Sequence, residues 1–370
     1  MKFKSISAKE IISGWNVDNI QFNPMLTLLV GASGVGKTRI LNMINGLCHV
    51  AHGLSFSGFK WKVEFEQNKH FYIWEGEFEL KNVPKLILPD IKENKFAIKY
   101  EQIKDNNEIL VSRLKDSIIY KGQKLVKLDN TKSIVELLKG EKDIKPIYDG
   151  FGQCYNLNMA DNSIHISPVV NVNKKSKLNI NIIKSLRIVS PLERLFLLKE
   201  NNLKEFDVIY HKFQEIFPIV EKLDFNLMAF NNTLVPVLKI KEKGVPSWIF
   251  QDAISSGMMR TLLQIITLVL ACDGDVITID EFENGLGVNC INELADLIME
   301  PDADIQVVMT SHHPYIINTS PVKDWKILTR NGCDVQVHTA EELRIGEHSK
   351  HEAFMQLMQT PEYKTGLTRN

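Results

Sequence analysis

The chain is 370 residues long, 44% hydrophobic and 24% charged, a composition ordinary for a folded protein. That length exceeds what a single hydrophobic core comfortably fills, so two lobes are expected. With 44 basic against 45 acidic side chains the net charge is −1, which removes any global electrostatic reason to expect nucleic acid or a membrane surface and leaves only local patches.

Taken in chain order, the opening run MKFKSISAKEIISGW interleaves charges with apolar residues and lacks the apolar segment of a secretory signal, so a cytoplasmic location is expected. The five scattered cysteines, Cys48, Cys154, Cys272, Cys290 and Cys333, have no paired spacing and fit a reducing compartment. Leu26–Val30 is a short apolar run of the kind that forms a parallel strand buried on both faces. A glycine-rich turn follows, and then Ile40, Leu41, Ile44 and Leu47 recur at helical spacing. From Trp61 the period becomes two: Trp61, Val63 and Phe65, then Tyr72, Trp74, Gly76, Phe78 and Leu80, alternate with polar residues and predict an antiparallel meander with one wet face. Turn signals at 105–107 and 121–122 continue it to about Leu128. Residues 171–181, rich in Lys and Asn, read as a connection. Phe206, Ile209, Phe213 and Ile216 predict an amphipathic helix over 203–217, closed by Pro218. A strand at 234–240 is followed by a helix from Met258, a strand Val276–Ile279, a helix Val288–Met299 and a strand at 305–309, an alternation that implies a parallel sheet covered by helices. The longest apolar stretch, 261–272, is well short of the roughly 20 residues of a membrane span, so no membrane association is expected.

Four segments carry chemistry. GASGVGKT, residues 31–38, matches the phosphate-binding loop pattern between a strand and a helix. Gly31, Ser33, Gly34 and Gly36 let the backbone turn its amides toward a phosphate, Lys37 reaches the outer phosphates and the Thr38 hydroxyl suits Mg2+. Asp280 and Glu281 end a buried strand: the first is a candidate metal ligand, the second a candidate general base. Ser255 and Gly257, in ISSGMMR, open a helix whose N-terminus could grip a terminal phosphate. His312, in TSHHP just after a strand, is placed to sense that phosphate; the adjacent His313 points elsewhere in a turn, which argues against a metal pair.

In this order, phosphate loop, serine-glycine signature, Asp-Glu strand and histidine strand, the chain resembles the heads of ABC-type ATPases, and ISSGMMR, DEFENGL and TSHHPYII resemble the RecF, SMC and OLD branch rather than the transporters. The resemblance implies an α/β fold: a P-loop NTPase head with a parallel core sheet, an antiparallel β subdomain and a mostly helical second lobe. The expected divisions are 1–135 and 258–345 for the two halves of the nucleotide lobe, 136–257 for the lobe ending in the signature, and 346–370 for a tail. It further implies an ATP- and Mg2+-dependent ATPase that works as a head-to-head homodimer or higher oligomer. Lys37, Thr38, Asp280, Glu281 and His312 would act in one copy, and Ser255 and Gly257 on the nucleotide of the other. The sequence departs from the pattern at Ser256, Met258 and Gly287-Val288, and lacks the usual aspartate of the loop that signals between subunits. Gln153 is a weak candidate for the glutamine that faces the terminal phosphate.

No long coiled coil interrupts the head, and the stretch after His312 reads as a hairpin around Asn331-Gly332 and an amphipathic segment, too little for an appended nuclease domain. The expectation is an ATPase subunit of a bacterial antiphage system that gates a separate effector such as a nuclease. The alternative is a RecF-like DNA clamp, for which Lys174, Lys175, Lys177 and Lys184 are the available basic patch.

Overall fold

The apolar run Leu26–Val30 is a strand buried along its whole length, because it has a parallel neighbour on each side, Gln306–Thr310 and Trp325–Asn331. The computed structural model describes residues 1–81, 95–157, 178–186, 189–230, 233–346 and 349–367. They fall into two compact units, the first Met1–Asn156 with Gly274–Phe282 and Gln306–Asn370, the second Leu157–Asp273 with Glu283–Ile305.

In the first unit, fourteen strands among the described residues make one sheet. At one end Cys154–Asn156, Val276–Ile279, Gln306–Thr310, Leu26–Val30 and Trp325–Asn331 run parallel. Asp334–Thr339 turns back as the hairpin partner of Trp325–Asn331 and pairs in parallel with Asn16–Gln21. From there Lys2–Glu10, Phe59–Gln67, His70–Phe78, Ile98–Asp105, Glu108–Leu114, Ser117–Tyr120 and Gln123–Lys124 form an antiparallel meander. The expected parallel core and β subdomain are thus two ends of one sheet. Alternation works as predicted where strands are regular: Trp61, Val63, Phe65, Tyr72, Trp74 and Phe78 are buried. Leu80, which continues the pattern in sequence, lies past the strand end and is exposed. Asn106 with Asn107, and Lys121 with Gly122, all take positive φ, the geometry of tight hairpin turns.

The helix Lys37–Ala51 buries Ile40, Leu41, Ile44 and Leu47 in the core of this unit. A buried carboxylate ties the meander to the segment after it: Glu101 accepts from Trp74 Nε1 at 2.9 Å, Ser133 Oγ at 2.6 Å and the Ile134 amide at 2.8 Å, with Arg113 3.7 Å away. Burial pushes the Glu101 carboxyl above the usual range against the pull of Arg113 and these donors.

The second unit is built around the helix Ser256–Val269, which packs against Pro191–Glu200, Lys204–Ile216 and Val288–Met299. Lys204–Ile216 buries Ile209, Phe213 and Ile216, as its period predicts. The expected strand at 234–240 lies within Thr233–Glu242, paired with Ile249–Phe250 and with Val220–Phe230 in a small antiparallel sheet. No helix of the described residues is long and apolar enough to cross a membrane.

Candidate functional site

Leu28, Met309 and Ile279 stand abreast in three neighbouring parallel strands. The glycine loop leaves this edge at Gly31, Asp280 follows Ile279 directly, and His312 lies three residues beyond Met309. With neighbouring strands about 4.8 Å apart, the three segments are rooted within roughly 10 Å of one another. They lie at the carboxyl ends of parallel strands, where open α/β sheets take ligands.

Gly31 has φ +143°, and a Cβ there would stand 2.6 Å from the Leu328 carbonyl on the adjoining strand, so no other residue fits. Gly34 and Gly36 also take positive φ, and Ser33, Gly34 and Thr38 are exposed. The helix that follows has no acidic residue in its first turn, so its N-terminal partial charge is unopposed toward an anion. Lys37 is buried and its Nζ donates to the carbonyls of Gly31 at 2.8 Å and Ala32 at 2.9 Å. Those are neutral acceptors, which a phosphate oxygen would outcompete. The cradle therefore fits a polyphosphate, and the Thr38 hydroxyl with the Asp280 carboxylate is a donor set suited to Mg2+, an ion that keeps most of its waters beside one or two protein ligands.

A residue that sequence reasoning passed over ties the Asp280 carboxylate to the Glu281 backbone. Thr310, fully buried at the end of its strand, donates its hydroxyl proton to Asp280 Oδ1 at 2.7 Å and accepts from the Glu281 amide at 2.7 Å. The Phe282 amide in turn donates to the Thr310 carbonyl at 3.0 Å. Glu281 has φ +44°, a left-handed conformation that costs a residue with a side chain about 1–3 kcal/mol and is held only where the surroundings fix it. Thr310 supplies that fixing. Its only sequence signal is a threonine heading the Thr-Ser-His run.

The two histidines part company. His313 caps the helix Pro314–Thr319, its Nδ1 accepting from the Tyr315 amide at 3.3 Å, and its own amide donates to Ser311 Oγ at 3.0 Å. His312 projects as an exposed residue at the sheet edge.

Ser255 and Gly257 belong to the second unit. Ser255 is exposed and caps the helix Ser256–Val269, accepting from the Met258 amide at 3.2 Å. Gly257 packs against the turn that follows the carboxylates in sequence: a Cβ on it would meet the Gly285 carbonyl at 3.1 Å. Gly285 has φ +73°, and the Leu286 amide closes the turn on the Glu283 carbonyl.

Gln153 is at the wrong end of its strand. Its carbonyl accepts from the Val276 amide at 3.0 Å, and the parallel pairing of Cys154 with Val276 and Asn156 with Thr278 sets it at the start of the Asp-Glu strand, away from Asp280. Of the basic patch, Lys174, Lys175 and Lys177 lie outside the described residues, while Lys184 donates to the Ala271 carbonyl.

Residues 172–318 match the family model described as "AAA domain, putative AbiEii toxin, Type IV TA system". No curated protein matches the chain. Among solved structures it is similar to an SMC head bound to the C-winged helix domain of ScpA, at TM-score 0.50 and 14% identity over 91% of this chain and 97% of that one. The SMC head domain from Thermotoga maritima (TM-score 0.45, 12% identity, 92% and 99% covered) and the Pyrococcus furiosus Smc head with an extended coiled coil bound to the C-terminal domain of ScpA (0.46, 15%, 93% and 98%) are also similar.

Proposed function

We propose that the chain is an ABC-type AAA ATPase of the SMC- and RecF-like branch, that it hydrolyses ATP at a site completed by a second copy, and that it uses the cycle to gate a separate effector; the family match over residues 172–318 and the SMC-head-like fold support this reading. The loop amides and Lys37 bind the β and γ phosphates, the lysine exchanging its two carbonyl partners for phosphate oxygens. Thr38 and Asp280 would hold Mg2+, which supplies charge neutralisation of the phosphates when bound. Glu281 accepts the proton of the attacking water as the bond from the γ phosphorus to the ADP oxygen breaks. His312 hydrogen-bonds the γ phosphate, and Ser255 with the amide of Gly257, from the second copy, covers it from the other side. The products are ADP and inorganic phosphate.

The observation that carries this reading is the Thr310 hydroxyl shared by Asp280 and the Glu281 amide, on the same sheet edge as the phosphate loop. A passive acidic strand end has no need of a buried atom that fixes one carboxylate and the backbone of the next. The toxin–antitoxin description of the matched family favours a two-component defence setting, in which this chain is the ATPase and a partner protein, such as a nuclease, delivers the effect. Release of phosphate from Mg-ATP tests the activity. Wild type should turn over, and Glu281→Gln should bind ATP yet hydrolyse it about 100-fold more slowly, the usual size of a general-base contribution. Equal rates would remove Glu281 from the role.

A further inference from the structure

The C-terminal segment folds back onto the phosphate loop. Two helices, Lys350–Gln359 and Pro361–Thr365, end the described chain, each started by a side-chain cap, Ser349 and Thr360. The first packs on Pro314–Thr319, the helix that follows His312, and the second packs on the strand Trp325–Asn331 beside the loop. Lys350 Nζ also donates to the Thr319 carbonyl, fastening the first helix to the end of that helix. After the second, Gly366 is buried with φ +70°, its amide closing the turn on the Glu362 carbonyl at 3.0 Å.

The contact with the loop is tight and directional. A Cβ on Gly366 would stand 2.5 Å from Val35 Cγ1 and 3.1 Å from Ala32 Cβ, so the backbone of the strap presses directly on two residues of GASGVGKT. Arg330 fastens both partners. Its amide donates to the Gly366 carbonyl at 2.7 Å, and its guanidinium reaches the Gly34 carbonyl at 3.3 Å while also donating to Gly332. Ala32 is itself one of the two carbonyls that hold Lys37. One short segment thus touches the loop that receives the phosphates and the helix behind the histidine.

We propose that Arg330 and Gly366 are positioning residues for the nucleotide site: the C-terminal strap holds residues 32–35 in their phosphate-ready shape before ATP arrives. This rests on the ATP-binding reading above. An unstrapped loop must pay its ordering entropy on binding, so the strap acts on ground-state affinity and leaves the carboxylate chemistry untouched. Loss of the strap raises KM and the ATP dissociation constant while kcat is kept, the reverse of what loss of Glu281 does.

The test measures ATP affinity by calorimetry, and KM and kcat by phosphate release, for full-length Gly366→Val, Arg330→Ala and Arg330→Lys, with thermal unfolding recorded for each. The strap predicts an affinity loss of about 10-fold or more for Gly366→Val, a smaller loss for Arg330→Ala with partial recovery in Arg330→Lys, and kcat within about twofold of wild type. Should Gly366→Val not fold, the two Arg330 variants decide alone. Unchanged KM and affinity in folded variants, or a fall in kcat with KM unchanged, would overturn the proposal. Wild type that failed to bind ATP would instead sink the nucleotide reading itself, and Lys37→Ala in the same series separates the two.

Discussion

The candidate residues of the two units are held in different ways. In the first unit Lys37 is tied to two loop carbonyls, and Asp280 and the Glu281 amide to one buried hydroxyl. In the second unit Ser255 does no more than cap its own helix, and it is exposed. A helix N-terminus whose capping hydroxyl faces solvent costs little to maintain and keeps its remaining amides available to an outside anion. On the proposed reading, phosphate binding and carboxylate placement are arranged inside one copy, whereas the signature is a surface for the nucleotide of another.

Breaking the pre-organised half should have the larger consequences. Lys37→Ala removes the fixed positive charge of the cradle. Hydrogen bonds to charged groups contribute roughly 1.5–3 kcal/mol each, and losing two should weaken ATP binding by about 100-fold or more. Calorimetry with ATP checks it, and retained affinity would detach the glycine loop from nucleotide binding. Thr310→Val keeps the shape of the side chain but leaves Asp280 Oδ1 short of a donor and the Glu281 amide short of an acceptor. The expected result is a fall in kcat of about 10-fold, from roughly 1.5 kcal/mol of lost positioning, with Thr310→Ser restoring most of it and ATP affinity nearly unchanged. A threonine that merely filled space would give the opposite pattern, Val tolerated and Ser not.

The same contrast governs what could be read from sequence. Leu26–Val30, Val276–Ile279 and the strand at 306–310 are fully buried parallel strands, so continuous apolar runs announced them, and the chemistry-bearing residues sit at their ends where motif spacing is rigid. The N-terminal strand Lys2–Glu10 went unrecognised because its pairings shift register between Phe3 and Ser5 and between Ile6 and Ala8, which places two buried residues, Ser5 and Ile6, side by side and breaks the period of two. Thr310 was invisible because its role is a tertiary hydrogen bond to a residue thirty positions away. The C-terminal strap was legible only as an amphipathic segment: what it covers depends on Gly366 meeting Val35, a contact that no local pattern encodes.

On the proposed reading the exposed signature completes the site of a second copy, and the oligomeric state with ATP bound reports this directly. Light scattering of Glu281→Gln with Mg-ATP should report a dimer, because ATP stays bound and uncleaved. Adding Ser255→Arg to the same chain places bulk and charge where the partner's γ phosphate must dock, so the double variant should bind ATP with unchanged affinity yet remain monomeric. A double variant that dimerises as well as Glu281→Gln alone would contradict the account.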